Sequence, residues 1–267
     1  MIPGAEQVAE PGARPGPGPE PGAGSETGRG LRDQVAEAAI VLARLGLVTA
    51  FGHVSARAGE AMLITPAADL AGVTADRVIE VPLGPEGELP RGAPAEAWAH
   101  LALYRARPEA AAIARAQPPG AFAAAAAVSM MVPLHGQAAW LGESVPVYDD
   151  AALLRSAEQA ERAARCLPDG EALLLRGNGA LTLGAAPGLA VARMWLLGAA
   201  CDVYLKALAA SGANPVTPLS AGEIASWRAV SGELLPRLWE HLRRHAGARQ
   251  TPSGLRPSGA DPGEVQG

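Results

Sequence analysis

The chain of 267 residues is 49% apolar and 18% charged, enough for a sizeable core and sparse for a soluble surface. Aromatics make up 4%, so Ala, Leu and Val must fill that core, and a net charge of −5 gives no basic footprint for nucleic acid. Lys206 is the only lysine and sits in a helical stretch, which argues against a lysine Schiff base.

Residues 1–29 are mostly Pro, Gly, Glu and Ala. Such a segment buries too little surface to offset its ordering entropy, so a disordered tail is expected there and again over 247–267. Between them, 30–246 reads as one domain without an internal repeat. No charged-then-apolar leader opens the chain. The most apolar stretch, Ala185–Ala210, is interrupted by Arg193 and Asp202, so no membrane span and a cytoplasmic location are expected. Cys166 and Cys201 are too few for a disulfide framework and read as buried apolar residues.

Val35, Ala39 and Leu42 recur at helical spacing, which predicts a helix over Leu31–Leu47. Phe51–Arg57 and Met62–Thr65 read as strands joined by a turn at Ala58–Glu60. Pro94 is placed to open a helix through Trp98, Leu101 and Tyr104 to Arg107, where Pro108 stops it. Ala111–Ala116, bounded by proline, reads as a strand, and an alanine-rich helix starts after Pro118-Pro119. Ala151–Cys166 predicts an amphipathic helix. Glu171–Arg176 and Ala180–Leu183 predict a hairpin around Gly177-Asn178-Gly179. Long helices are expected over Ala185–Ala210 and Ser220–Ala246. Strands interleaved with helices make an α/β or α+β layered fold.

Five stretches carry a resemblance in their order along the chain: FGHVSAR (51–57), LITPAADLAGV (63–73), PAEAWAHLALYRARPEAAAIARAQPP (94–119), LGESVPVYDD (141–150) and ALLLRGNGALTLG (172–184). Together they resemble the class II aldolase/adducin family, which includes metal-dependent sugar-phosphate aldolases, epimerases and aromatic-acid decarboxylases. HVSAR is closer to the decarboxylase branch. The resemblance implies an α/β/α layered domain around a mainly antiparallel central sheet, and a homotetramer with pockets at subunit contacts. It also implies an acidic acid/base residue, matched by Glu96, and three histidines for a divalent metal.

Those three positions are Arg115, Gln117 and Asn178. Gln and Asn offer only neutral carbonyls, and Arg offers no lone pair. A dication about 4 Å from a guanidinium costs roughly 8 kcal/mol at an effective dielectric near 20. No metal and no other cofactor are therefore expected. The positions that resemble the family's phosphate pocket, His53, Ala67, Ala68, Pro94 and Ala95, give few donors, so a non-phosphorylated small molecule is the expected substrate.

On a strand, Arg115 and Gln117 share a face. Arg115 is a fixed cation suited to clamp a carboxylate or stabilise an enolate, or simply to pair with Glu96. Glu96 and His53 are the other candidate catalytic residues; Arg57, Ser55, His100, Gln117 and Asn178 are the candidate substrate-binding residues. A relocated metal site of His53, His100 and His135 is a lesser alternative, and His241 and His245 read as solvated. Two functions follow: a carbon–carbon lyase of decarboxylase or aldolase type working without the family metal, or a non-catalytic binding or assembly module.

Overall fold

The computed structural model describes residues 26–246, apart from 85, 86 and 213. The expected tails lie outside the described residues, with one correction. The first helix, α1 (Glu26–Arg44), begins inside the segment assigned to the N-terminal tail.

Eight strands form one sheet: β1 (His53–Ala58), β2 (Ala61–Ile64), β3 (Ile79–Pro82), β4 (Ala112–Ala116), β5 (Met130–Met131), β6 (Val145–Tyr148), β7 (Ala172–Leu175) and β8 (Gly179–Gly184). Their order is β3-β2-β1-β4-β8-β7-β6-β5, antiparallel throughout except for the β6/β7 pair. The helices that follow α1 are α2 (Ala97–Ala106), α3 (Pro119–Ala127), α4 (Ala157–Ala164), α5 (Pro187–Ser211), α6 (Ala221–Ala229) and α7 (Ser231–His245). The sheet separates two cores, giving the expected α/β/α layers. Val54, Ala56, Ala112, Ala114 and Ala116 pack with α1, α3 and α5, whereas Ile113, Leu173, Leu175 and Leu181 pack with α2 and α4.

Strand alternation decides what else faces α2 and α4. Ile113 points that way, so Arg115, two residues on, does as well. His53, Ser55 and Arg57 alternate with the core residues Val54 and Ala56 and share the same face. A run of alanines on the other face of β4 keeps that surface low enough for α5 to lie across it.

Strands β3, β5 and β6 were not expected, and three helical regions also depart from expectation. The helix expected from Ala151 begins at Ala157, because the Ser156 side chain accepts from Gln159 N and caps it there. Upstream, Asp150 Oδ1 accepts from Ala152 N at 2.9 Å and holds Ala151–Arg155 as a loop. The C-terminal helix is two helices: a Ser220/Glu223 capping box starts α6, and the chain breaks at Val230 before α7. Pro236 inside α7 lacks an N–H and crowds the preceding turn, weakening the helical ladder near that break. The third is α5, which is long and apolar enough to cross a membrane, contrary to the sequence reading. It packs as a core helix on β4 and β8, with 56% of its most apolar window buried.

Candidate active site

The β1/β4 register places His53 directly opposite Arg115. The β7–β8 hairpin brings Asn178 up from the other side. Gly179, at φ 91°, follows it, and a Cβ there would lie 2.2 Å from the Ala116 carbonyl oxygen. Only glycine allows this close approach. The result is a hydrogen bond from Arg115 Nη2 to Asn178 Oδ1, with a longer one to the Asn178 carbonyl at 3.4 Å. Arg115 is 2% exposed, and its buried Nε has no partner among the described residues; neither has Asn178 Nδ2. Burial pushes the guanidinium below its ordinary value, Glu96 works against that shift, and Arg155 adds to it.

Glu96 does not pair with Arg115, which corrects the simplest expectation for the two. It occupies the N-cap position of α2, with no side-chain capping bond, and its Oε1 accepts from Arg155 Nε at 3.2 Å. Arg155 reaches Glu96 because it belongs to the loop before α4 rather than to the helix. Sequence reasoning missed it for that reason. The Asp150 turn and the Ser156 cap were the signals that would have left Arg155 in a loop.

His53 is buried, and desolvation, helped by the Arg115 charge, lowers its pKa to about 3. At neutral pH it is an uncharged imidazole that offers a hydrogen bond rather than a mobile cationic proton.

His53, Glu96, Arg115, Gln117 and Asn178 line one cleft of about 710 Å³. Ala67, Ala68, Pro94 and Ala95 contribute to its walls, and their side chains give no donors for a phosphate. Phe51 and Leu153, both exposed, also line it.

Three expected substrate-binding residues are not in that cleft. Ser55 Oγ lies 2.7 Å from His100 Nδ1 and 2.9 Å from the Tyr104 hydroxyl, all three buried between β1 and α2. Desolvation, His53 and Arg115 together hold His100 well below its ordinary pKa. Burial raises the Tyr104 hydroxyl. Arg57 donates to the carbonyls of Tyr104, Ala110 and Arg107 and lies 4.9 Å from the centre of the Tyr104 ring. It binds the end of α2 and the loop after it. Ser55, Arg57 and His100 therefore fasten α2 to the sheet behind the cleft. They share the strand face of the site residues, which is why sequence spacing did not separate the two groups.

The donor set does not fit the divalent metal implied by the resemblance. At the positions the resemblance assigns to ligands, a guanidinium, which has no lone pair to give, is hydrogen-bonded to Asn178. Among the described residues no three His, Cys, Asp or Glu side chains are grouped to hold an ion, and that includes the alternative of His53, His100 and His135.

The chain matches the family model described as Class II Aldolase and Adducin N-terminal domain over residues 33–205. Among solved structures it is similar to L-fuculose-1-phosphate aldolase from Thermus thermophilus, with 29% identity, TM-score 0.62, and coverage of 72% of this chain and 100% of that one. It is also similar to an aldolase II superfamily protein from Pseudomonas syringae, with 21% identity, TM-score 0.69, and coverage of 85% and 95%. A third is YgbL of Escherichia coli, a putative aldolase/epimerase/decarboxylase, with 23% identity, TM-score 0.65, and coverage of 76% and 100%. The latter two support the fold. A comparison with curated proteins found no match.

Proposed function

The chain belongs to the class II aldolase and adducin family, and from that premise we propose that it is a carbon–carbon lyase acting on a small non-phosphorylated carboxylic acid or carbonyl compound without the family metal. The supporting observation is Arg115, a buried cation held by Asn178 in the cleft that Glu96 also lines, at a position the resemblance assigns to a metal ligand. Breaking a bond to the carbon beside a carbonyl sends the bonding electrons into an enolate oxygen. A fixed guanidinium holds the substrate carboxylate or stabilises that oxygen without reorganising. Glu96 moves the proton: it takes a hydroxyl proton where the cleavage is of aldol type, or delivers one to the carbon after loss of carbon dioxide. His53 adds a neutral hydrogen bond, and Gln117 and Asn178 orient the substrate.

The decarboxylase-like motif HVSAR, a cytoplasmic location and a homotetramer belong to the same proposal, as do a small-molecule substrate and the absence of nucleic-acid or membrane partners. The test is a screen of small keto acids, hydroxy acids and aromatic carboxylic acids with chelator present, read by turnover and by thermal shift. Turnover that Arg115→Gln abolishes supports the lyase. Neither turnover nor thermal shift with any acid overturns it. Arg115 and Glu96 would then be structural groups in a binding or assembly module, the reading favoured by the ion pair that Glu96 already makes.

A further inference from the structure

The cleft contains a second arginine to which the lyase chemistry gives no task. Arg155 stands on the loop between β6 and α4 and commits one nitrogen, Nε, to one oxygen of Glu96 at 3.2 Å. Its terminal Nη1 and Nη2 form no hydrogen bond among the described residues, and its side chain is 58% exposed beside a Glu96 side chain that is 13% exposed. A guanidinium bound through Nε alone leaves its two-pronged end free for another carboxylate.

Position separates the two arginines. Arg115 lies buried on the sheet, and Arg155 lies exposed on a loop, yet both line the same space. They are near enough for Arg155 to depress Arg115 further. One carboxylate, Glu96, faces these two cations. The other acid of the lining, Asp69, is exposed and directs Oδ1 to Ala71 N at 3.0 Å. Ala67, Ala68, Pro94 and Ala95 supply apolar wall suited to a carbon skeleton. Like charges facing one cleft are relieved when anionic groups bind between them.

We propose that Arg155 is a specificity residue that docks a second carboxylate, so that the substrate class is a short dicarboxylic acid with one acid group on Arg115 and the other on Arg155. This rests on the carboxylate role of Arg115 set out above. A monocarboxylic acid satisfies the buried cation alone. A dicarboxylic acid engages both, and its far end exchanges onto the open nitrogens of Arg155 while Nε keeps or releases Glu96.

The experiment is calorimetric titration of the full chain with acetate and pyruvate, and with succinate and 2-oxoglutarate, at fixed ionic strength. Glu96→Gln is the reference background, so that removing Arg155 does not strand a carboxylate. The dicarboxylates should bind at least about tenfold more tightly than the monocarboxylates, the scale of one hydrogen-bonded charge contact. Arg155→Gln should erase that advantage while changing the monocarboxylate constants much less, and Arg155→Lys should keep part of it. Arg115→Gln should weaken both classes. Equal binding of the two classes, or equal weakening of both by Arg155→Gln, overturns the Arg155 assignment while Arg115 stands. No binding of any acid overturns both. Arg155 is an exposed loop residue, and circular dichroism confirms that its variants fold before titration.

Discussion

Lowering the pH from 7 to 5 should destabilise this protein through two buried imidazoles. His53 has a folded pKa of about 3, and His100 also lies well below the ordinary value of 6.5. Because the folded values are depressed, this contribution to stability is full above pH 6.5. It is lost as pH falls from there towards 3, since the unfolded chain binds protons that the folded chain refuses. At pH 5 an unfolded-state histidine is protonated about thirtyfold over neutral, which favours unfolding by about 2 kcal/mol for His53, with His100 acting in the same direction. That is a large part of the roughly 5–15 kcal/mol that usually holds a domain folded. Urea unfolding at pH 7, 6 and 5 reads the loss, and Glu109, Asp150, Glu223 and Glu240, whose folded pKa values are lowered, contribute mostly below this window. His53→Gln, uncharged at every pH, should remove the His53 share of the slope and leave the part due to His100 and to His135, whose burial also lowers its pKa. Equal losses for His53→Gln and the parent chain would refute the claim that burial beside Arg115 holds His53 neutral.

Arg115→Gln should cost about 3–4 kcal/mol of transition-state stabilisation in kcat/KM, the scale of losing a principal oxyanion donor, and Arg115→Lys should restore only part of it. Full activity of the glutamine variant would count against the lyase. Glu96→Gln should lower kcat by about a hundredfold or more with KM nearly unchanged; a change confined to KM would make Glu96 a binding residue. Arg115→His, Gln117→His and Asn178→His combined should create zinc affinity measurable by calorimetry, because the three positions meet at the end of β4 and the β7–β8 turn. Failure of that folded variant to bind zinc would show that the three positions do not converge.

Most of the layered fold was legible because its signals are local. Gly177-Asn178-Gly179 specifies a turn, Pro118-Pro119 separates a strand from a helix, and the spacing of Val35, Ala39 and Leu42 marks a helical face. What the sequence hid was tertiary. Strands β3, β5 and β6 are short, and β6 contains Pro146, which weakens a strand reading. Ser55, Arg57 and His100 belong to the right sheet face and the right helix, yet whether they reach the cleft depends on how α2 lies over β1. The position of Arg155 depended on one hydroxyl: with Ser156 as the cap the residue is in a loop beside Glu96, and without it the same arginine would have been one more exposed position on a helix.

The central claim is that an arginine stands where this family's architecture would place a metal ion. Elemental analysis of the purified chain after dialysis at pH 7 tests it most directly. The expected result is no stoichiometric zinc, manganese or iron; one tightly held equivalent per chain would contradict the account, because the charged Arg115 repels a divalent ion placed beside it.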